Sequence, residues 1–377
     1  MTQAAPLTRI PFFRYPHIFA QERDELLAVV AGVLERGAYI LQRDLEEFEH
    51  RLAALVSARH AVGVGNGTDS MLLGLRAMGV GPGDEVILPS HTYVATAAAV
   101  HFVGATPVLV DCGADHLMDP EAVAAAVTSR TAAILPVHLN GRTCNMDALQ
   151  AIADRHGVRI VEDAAQALGS RYKGRYAGTF GVWGSFSFYP AKVLGCFGDG
   201  GAVTTNDDGI ARTLRLLRDH GRDERGEVVT WGFNSRLDNL QAAILNVKLR
   251  HLAGEIRRRR QIAGIYRERL ANLEDLTLPP GPDGDPDHFD VYQNYEVEAG
   301  KREALREHLR RDGVGTLIQW GGKAVHQCEG LGFAHSRLPR TDLLFRRCFM
   351  LPLNTSLTDD ETHYICDSIC RFYGRAA

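Results

Sequence analysis

GSFSFYPAKVLGCFGDGGAV, residues 184–203, sets one lysine, Lys192, between an aromatic-rich apolar run and a glycine-rich run. A lysine head normally seeks water, and most single lysines after a strand sit on a solvated turn. Packing residues on both sides imply instead an amine short of hydration, with its pKa pushed down. Such an amine is suited to Schiff-base chemistry with a carbonyl. The rest of the chain has to supply the partners that chemistry needs.

Working outward, strand-like and helical runs alternate. Leu45, Phe48, Leu52 and Leu55 recur at steps of three and four, which predicts a core-facing helix. A strand over His60–Asn66 then feeds Gly67, Thr68 and Asp69 at the start of another helix. Strands follow at Glu85–Leu88, Pro107–Val110, Ala132–Val137 and Arg159–Glu162, with helical runs between them. Val, Ile and Leu-rich strands alternating with helices imply an α/β fold with a mainly parallel sheet covered on both faces. Ligands of such sheets gather at the carboxyl ends of strands, and Gly67, Tyr93, His138, Asp163 and Lys192 all lie just beyond such ends.

At 377 residues the chain exceeds what one core serves well. Its reading is an N-terminal arm over residues 1–20, a large domain over 21–255 and a smaller C-terminal α+β domain over 256–377. A long helix, about 237–270, connects the last two. The arm reads as extended, with Pro6, Pro11 and Pro16 among aromatics. Thr316–Trp320 reads as a strand, and Thr358 with Glu361 as the capping box of the final helix. The run Arg257–Arg260 lies within the long helix, which spreads its side chains around the axis and favours solvated or paired faces over a polyanion site.

Composition narrows the function. An apolar fraction of 45%, a charged fraction of 23% and a formal net charge of −4 are ordinary for a globular protein and argue against nucleic-acid binding. Seven cysteines without a CxxC pair fit free thiols in a reducing cytoplasm, and no paired spacing suggests a metal site. No apolar stretch reaches membrane-spanning length, so a cytoplasmic location is expected.

The strand-end residues converge on one chemistry. A carboxylate at Asp163 could keep a pyridine nitrogen protonated, which makes pyridoxal 5'-phosphate an electron sink. Lys192 would hold the aldehyde, and the helix start at Gly67 and Thr68 would hold the phosphate.

Six segments resemble the sugar aminotransferases of the DegT, DnrJ, EryC1 and StrS type, in family order. They are GNGTDS (65–70), GPGDEVILPSHTYVAT (81–96), PVHLNG (136–141), EDAAQALGSRYKG (162–174), FSFYPAKVLGCFGDGGAV (186–203) and FNSRLDNLQAAILNVKL (233–249). The resemblance implies a fold-type I pyridoxal-phosphate transferase. It assigns Lys192 to the cofactor aldehyde and proton transfer, Asp163 to the pyridine nitrogen and Gln166 to the ring hydroxyl. Tyr93 would stack on the ring. Gly67, Thr68 and Ser187 would bind phosphate, joined by Asn234 from the other subunit of a homodimer. His326 matches a substrate-side histidine. The chain departs from the family pattern at Asn140, Gly141 and Arg142, and again over Thr316–Gln327, both in sugar-facing regions.

The implied reaction moves an amino group from glutamate to a keto group of a nucleotide-activated deoxyhexose. C-4 of dTDP-4-keto-6-deoxyglucose is the favoured acceptor and a C-3 ketone the alternative. The rival of another class is a non-catalytic regulator that keeps the fold, which would need neither Asp163 nor Lys192.

Overall fold

The computed structural model describes residues 10–333 and 335–375. Its centre is one seven-stranded sheet. The order is Thr106–Val110, Glu85–Pro89, Thr131–Ile134, Arg159–Asp163, Trp183–Ser187, Gly201–Thr205 and His60–Val64. The fourth strand joins the two halves: its Arg159–Ile160 portion pairs with Thr131–Ile134, and its Glu162–Asp163 portion pairs with Trp183–Ser187. The first five strands run parallel. Gly201–Thr205 is antiparallel to both of its neighbours, which makes the sheet mixed at that edge.

Apolar strands buried on both faces need helices on both sides. Helices Gly67–Ala77, Val94–Phe102 and Asp208–Arg218 cover one face, with Leu73, Val100 and Leu214 in a shared apolar cluster. Helix Arg43–Val56 and the first turns of the long helix cover the other, where Phe48, Leu52 and Leu245 pack on Phe186 and Phe188. Leu55 is only partly buried at the margin of that cluster.

The long helix, Asn239–Leu270, is about 48 Å from end to end at the usual rise. Its far half carries Ile262, Tyr266 and Leu270 into a separate cluster with the antiparallel strands Tyr295–Ala299 and Cys348–Leu351 and the helix Asp359–Phe372. Cys366 and Cys370 face that core, and the Thr358–Glu361 capping box forms. The arginine run is spread around the helix, with Arg257 exposed and the other three bonded to the protein. Arg259 is buried and donates to the carbonyls of Tyr292 and Gln293, both at 3.2 Å. Arg260 donates to the Asp290 carbonyl at 2.9 Å, and Arg258 to Asp359 at 2.6 Å.

Two expectations change. Pro6 and its neighbours fall outside the described residues. The segment after them is not extended throughout: Ile10 is buried in the C-terminal cluster beside Val314, and Tyr15–Ala20 is helical, with Pro16 in the first turn where its missing N–H costs nothing. Thr316–Trp320 is not a strand either. Leu317 makes one bridge to Met350, and the chain then turns through Gln319–Gly322 with Trp320 at φ 51°.

Candidate active site

A cleft of about 760 Å³ opens at the carboxyl ends of the parallel strands. Gly67, Thr68, Tyr93, Asp163, Gln166, Ser187 and Lys192 all line it. Segments spread over 126 positions of sequence therefore meet in one place because the sheet order brings their strand ends together.

Glu162 and Asp163 are consecutive strand residues and point to opposite sides. Asp163 faces the cleft, where each carboxylate oxygen has a donor: the Thr96 hydroxyl at 2.8 Å on Oδ2 and the Ala165 N–H at 3.0 Å on Oδ1. Thr92 lies 2.7 Å from Thr96 and completes the support. Glu162 is fully buried, accepting from the N–H groups of Gly178 and Gly181, each at 2.7 Å, and from His138 Nε2 at 2.9 Å. The Cys144 N–H donates to His138 Nδ1, which leaves the ring proton on Nε2 facing Glu162. His138 is thus a strut beneath Asp163 and does not face the cleft.

Lys192 follows the Trp183–Ser187 strand in a tight turn, its N–H donating to the Tyr189 carbonyl at 2.8 Å. Gln293, from the C-terminal part of the chain, grips both flanks. Its Oε1 accepts from the Val193 N–H at 2.7 Å, and its Nε2 donates to the Ala191 carbonyl at 2.8 Å. Among the described residues no protein group is hydrogen-bonded to the amine. Loss of hydration outweighs the attraction of Asp163 and lowers the Lys192 pKa to about 8. A useful share of the amine is therefore neutral at physiological pH.

The helix Gly67–Ala77 starts at the cleft. Asn66 accepts the Asp69 N–H on its side chain and the Ser70 N–H on its carbonyl, so the helix itself leaves the N–H groups of Gly67 and Thr68 for a ligand. Gly67 is required by space, since a Cβ there would lie 2.8 Å from Ser187 Cβ. The result is a narrow cradle of backbone donors at the positive end of a helix, with the Ser187 side chain as its opposite wall. Tyr93, 55% exposed, caps the helix Val94–Phe102 on the cleft wall and is no core aromatic.

The other two sequence-derived residues lie elsewhere. Asn234 is exposed on the Gly221–Ser235 loop, outside this chain's cleft and next to the exposed Trp231 and Phe233. His326 is buried outside the cleft, with Nδ1 2.7 Å from Ser90 Oγ and Nε2 3.1 Å from Asp342 Oδ1. Thr96 and Trp320 line the cleft and were not singled out from sequence. Thr96 was within reach of inference, being three positions after Tyr93 and so on the same helix face.

No group of three or more potential metal-ligating side chains occurs among the described residues, and no helix of them is long and apolar enough to cross a membrane.

The fold and the cleft together define an aminotransferase of the fold-type I pyridoxal-phosphate class. The chain belongs to the DegT/DnrJ/EryC1/StrS aminotransferase family, whose model matches residues 20–370. It is 44% identical to the dTDP-3-amino-3,4,6-trideoxy-alpha-D-glucose transaminase of Streptomyces venezuelae over 98% of this chain and 97% of that protein. It is similar to the crystal structure of S. venezuelae DesV in complex with a ketimine intermediate, with TM-score 0.93 and 43% identity over 98% of this chain and 100% of that one. It is also similar to the structure of ntda from Bacillus subtilis with bound cofactor pmp, with TM-score 0.91 and 28% identity over 99% of this chain and 87% of that one.

Proposed function

We propose that this chain uses pyridoxal 5'-phosphate to move an amino group from glutamate to the C-3 keto group of a nucleotide-activated deoxyhexose. The observation that carries the amino-transfer reading is Lys192, an amine without a hydrogen-bond partner among the described residues, held near a pKa of 8 at the end of a cleft that also contains the anchored carboxylate of Asp163. The cleft fits the cofactor at three points. The Gly67 and Thr68 N–H groups with the Ser187 hydroxyl suit a phosphate, Asp163 suits a protonated ring nitrogen, and Lys192 suits an aldehyde. Tyr93 offers a flat face to the ring and Gln166 an amide to its hydroxyl.

When bound, the cofactor supplies an electron sink for the carbon that loses its proton. Asp163, oriented by Thr96 and Ala165, holds a proton on the ring nitrogen and so maintains that sink. Lys192 Nζ takes the proton from the donor's α-carbon and later returns one to the sugar carbon. A pKa near 8 suits both directions, because neither protonation state is scarce at neutral pH.

The family resemblance favoured C-4 of dTDP-4-keto-6-deoxyglucose as acceptor, with a C-3 ketone as the alternative. The S. venezuelae relative, similar over nearly the whole chain and named for a 3-amino sugar, supports C-3 instead. We further propose a homodimer in which Asn234 reaches the partner's phosphate site. Its exposed position among Val228, Val229, Trp231 and Phe233 supports that reading, since an apolar patch of this kind favours burial against another surface. Seven cysteines, all free, support a reducing cytoplasmic setting.

Assaying the purified enzyme with glutamate against matched dTDP-3-keto and dTDP-4-keto deoxyhexoses tests the acceptor. A kcat/KM at least about tenfold higher for the 3-keto sugar is expected. Preference for the 4-keto sugar would reject C-3.

A further inference from the structure

Asn140, one of the departures from the family pattern, is distinguished by its backbone and by its bonds. It stands at φ 56°, ψ 14°, a left-handed conformation that asparagine tolerates better than most residues. Gly141 follows at φ 93°, and a Cβ there would lie 2.6 Å from the backbone nitrogens of both Tyr292 and Gln293. The turn is therefore pressed against the 291–294 segment and has little freedom to shift.

The hydrogen bonds around Asn140 have only one consistent direction. The Asn140 backbone N–H lies 2.9 Å from Gln166 and can only donate, so the Gln166 atom facing it is the carbonyl Oε1. Asn294 Nδ2 donates to the same Oε1 at 3.3 Å and to Asn140 Oδ1 at 3.0 Å. Gln319 Nε2 also donates to Asn140 Oδ1, at 3.0 Å. At the other end stands the Glu296 carboxylate, which can only accept. It takes Asn140 Nδ2 at 3.1 Å, Gln319 Nε2 at 3.0 Å and His116 Nδ1 at 3.1 Å. Glu296 is 3% exposed, so no solvent competes for these bonds. A backbone donor at one end and a carboxylate at the other fix the orientation of every amide between them. With Oε1 engaged twice, the group Gln166 has left to present to the cleft it lines is its NH2.

We propose that Asn140 is a positioning residue whose side chain, anchored by Glu296, holds Asn294 Nδ2 against Gln166 Oε1 beside its own backbone N–H, and so locks Gln166 as a hydrogen-bond donor toward the cleft. The position then serves only a ligand that offers an acceptor there, such as the ring oxygen of the bound cofactor. This rests on the cofactor reading given above.

Asn140→Gly is the discriminating variant, because glycine accepts the left-handed backbone and keeps the N–H while deleting the side chain. Pyridoxal phosphate affinity and the visible absorption maximum are measured for wild type, Asn140→Gly, Gln166→Ala and the double variant, with the melting temperature of each cofactor-free protein as the control for folding. Asn140→Gly is expected to weaken cofactor binding roughly tenfold and to move the absorption maximum in the same direction as Gln166→Ala. The double variant is expected to be no weaker than Gln166→Ala alone. Wild-type affinity and absorption maximum in Asn140→Gly, or additive losses in the double variant, would overturn the proposal while leaving the cofactor reading intact. Failure of the wild type to bind pyridoxal phosphate would overturn that reading and this proposal together.

Discussion

Two groups of buried charge in this protein are built in opposite ways. At the cleft, Lys192 has a nearby carboxylate but no hydrogen-bond partner among the described residues, and its pKa falls to about 8. Behind the cleft wall, His116 places Nδ1 3.1 Å from Glu296 and Nε2 2.9 Å from Glu298, which Arg340 also engages. Burial opposes charge on His116, but these two bonds outweigh it and raise its pKa to about 9. Both ring nitrogens must then carry protons. Although burial works against it too, His91 and His116 hold the Glu296 carboxyl well below the usual carboxylate range. The second group has satisfied its charges internally and holds structure together. The first has left one open, at a cost in stability, where a ligand can close it.

Removing the carboxylate that attracts the open group's charge gives the largest expected effect. Asp163→Asn keeps the shape of the site and removes the charge. It is expected to lower the kcat of amino transfer about a thousandfold or more, with the Lys192 amine titrating still lower than in wild type. Steady-state kinetics with glutamate and titration of the amine in cofactor-free protein check both. A kcat within tenfold of wild type would remove the distinction between the two groups.

The paired group is expected to show its main effect on stability, as a pH-dependent loss. Asparagine suits the positive φ of 68° at His116, so His116→Asn isolates the charge. A folded pKa raised from 6.5 to about 9 contributes stability that is complete below pH 6.5 and lost as pH rises through 9. The variant should be about 3 kcal/mol less stable than wild type at pH 6 and nearly equal to it at pH 10. Urea unfolding at the two pH values measures this, and an equal deficit at both would show that packing, not charge, is what His116 supplies.

The sequence was most legible where structure is local. The strand and helix alternation, the cap at Thr358 and the helical face of Leu45, Phe48 and Leu52 all depend on neighbours a few positions away. The cleft residues from Gly67 to Lys192 were legible because they follow strand ends and stand in segments that keep the family order. What stayed hidden depends on distant contacts. The antiparallel placing of Gly201–Thr205 is a choice of partner, which its apolar composition does not encode. Ile10 is buried only because Val314 lies beside it. The left-handed turn at Trp320 reads like strand until the bond from Gln319 to Asn140, 179 positions away, is known.

Borohydride reduction of the protein loaded with pyridoxal phosphate, followed by peptide mass mapping, identifies the lysine that carries the cofactor. The phosphopyridoxyl group is expected on Lys192, and glutamate added before reduction is expected to suppress that label. A label on another lysine, or none with excess cofactor present, would contradict this role for Lys192.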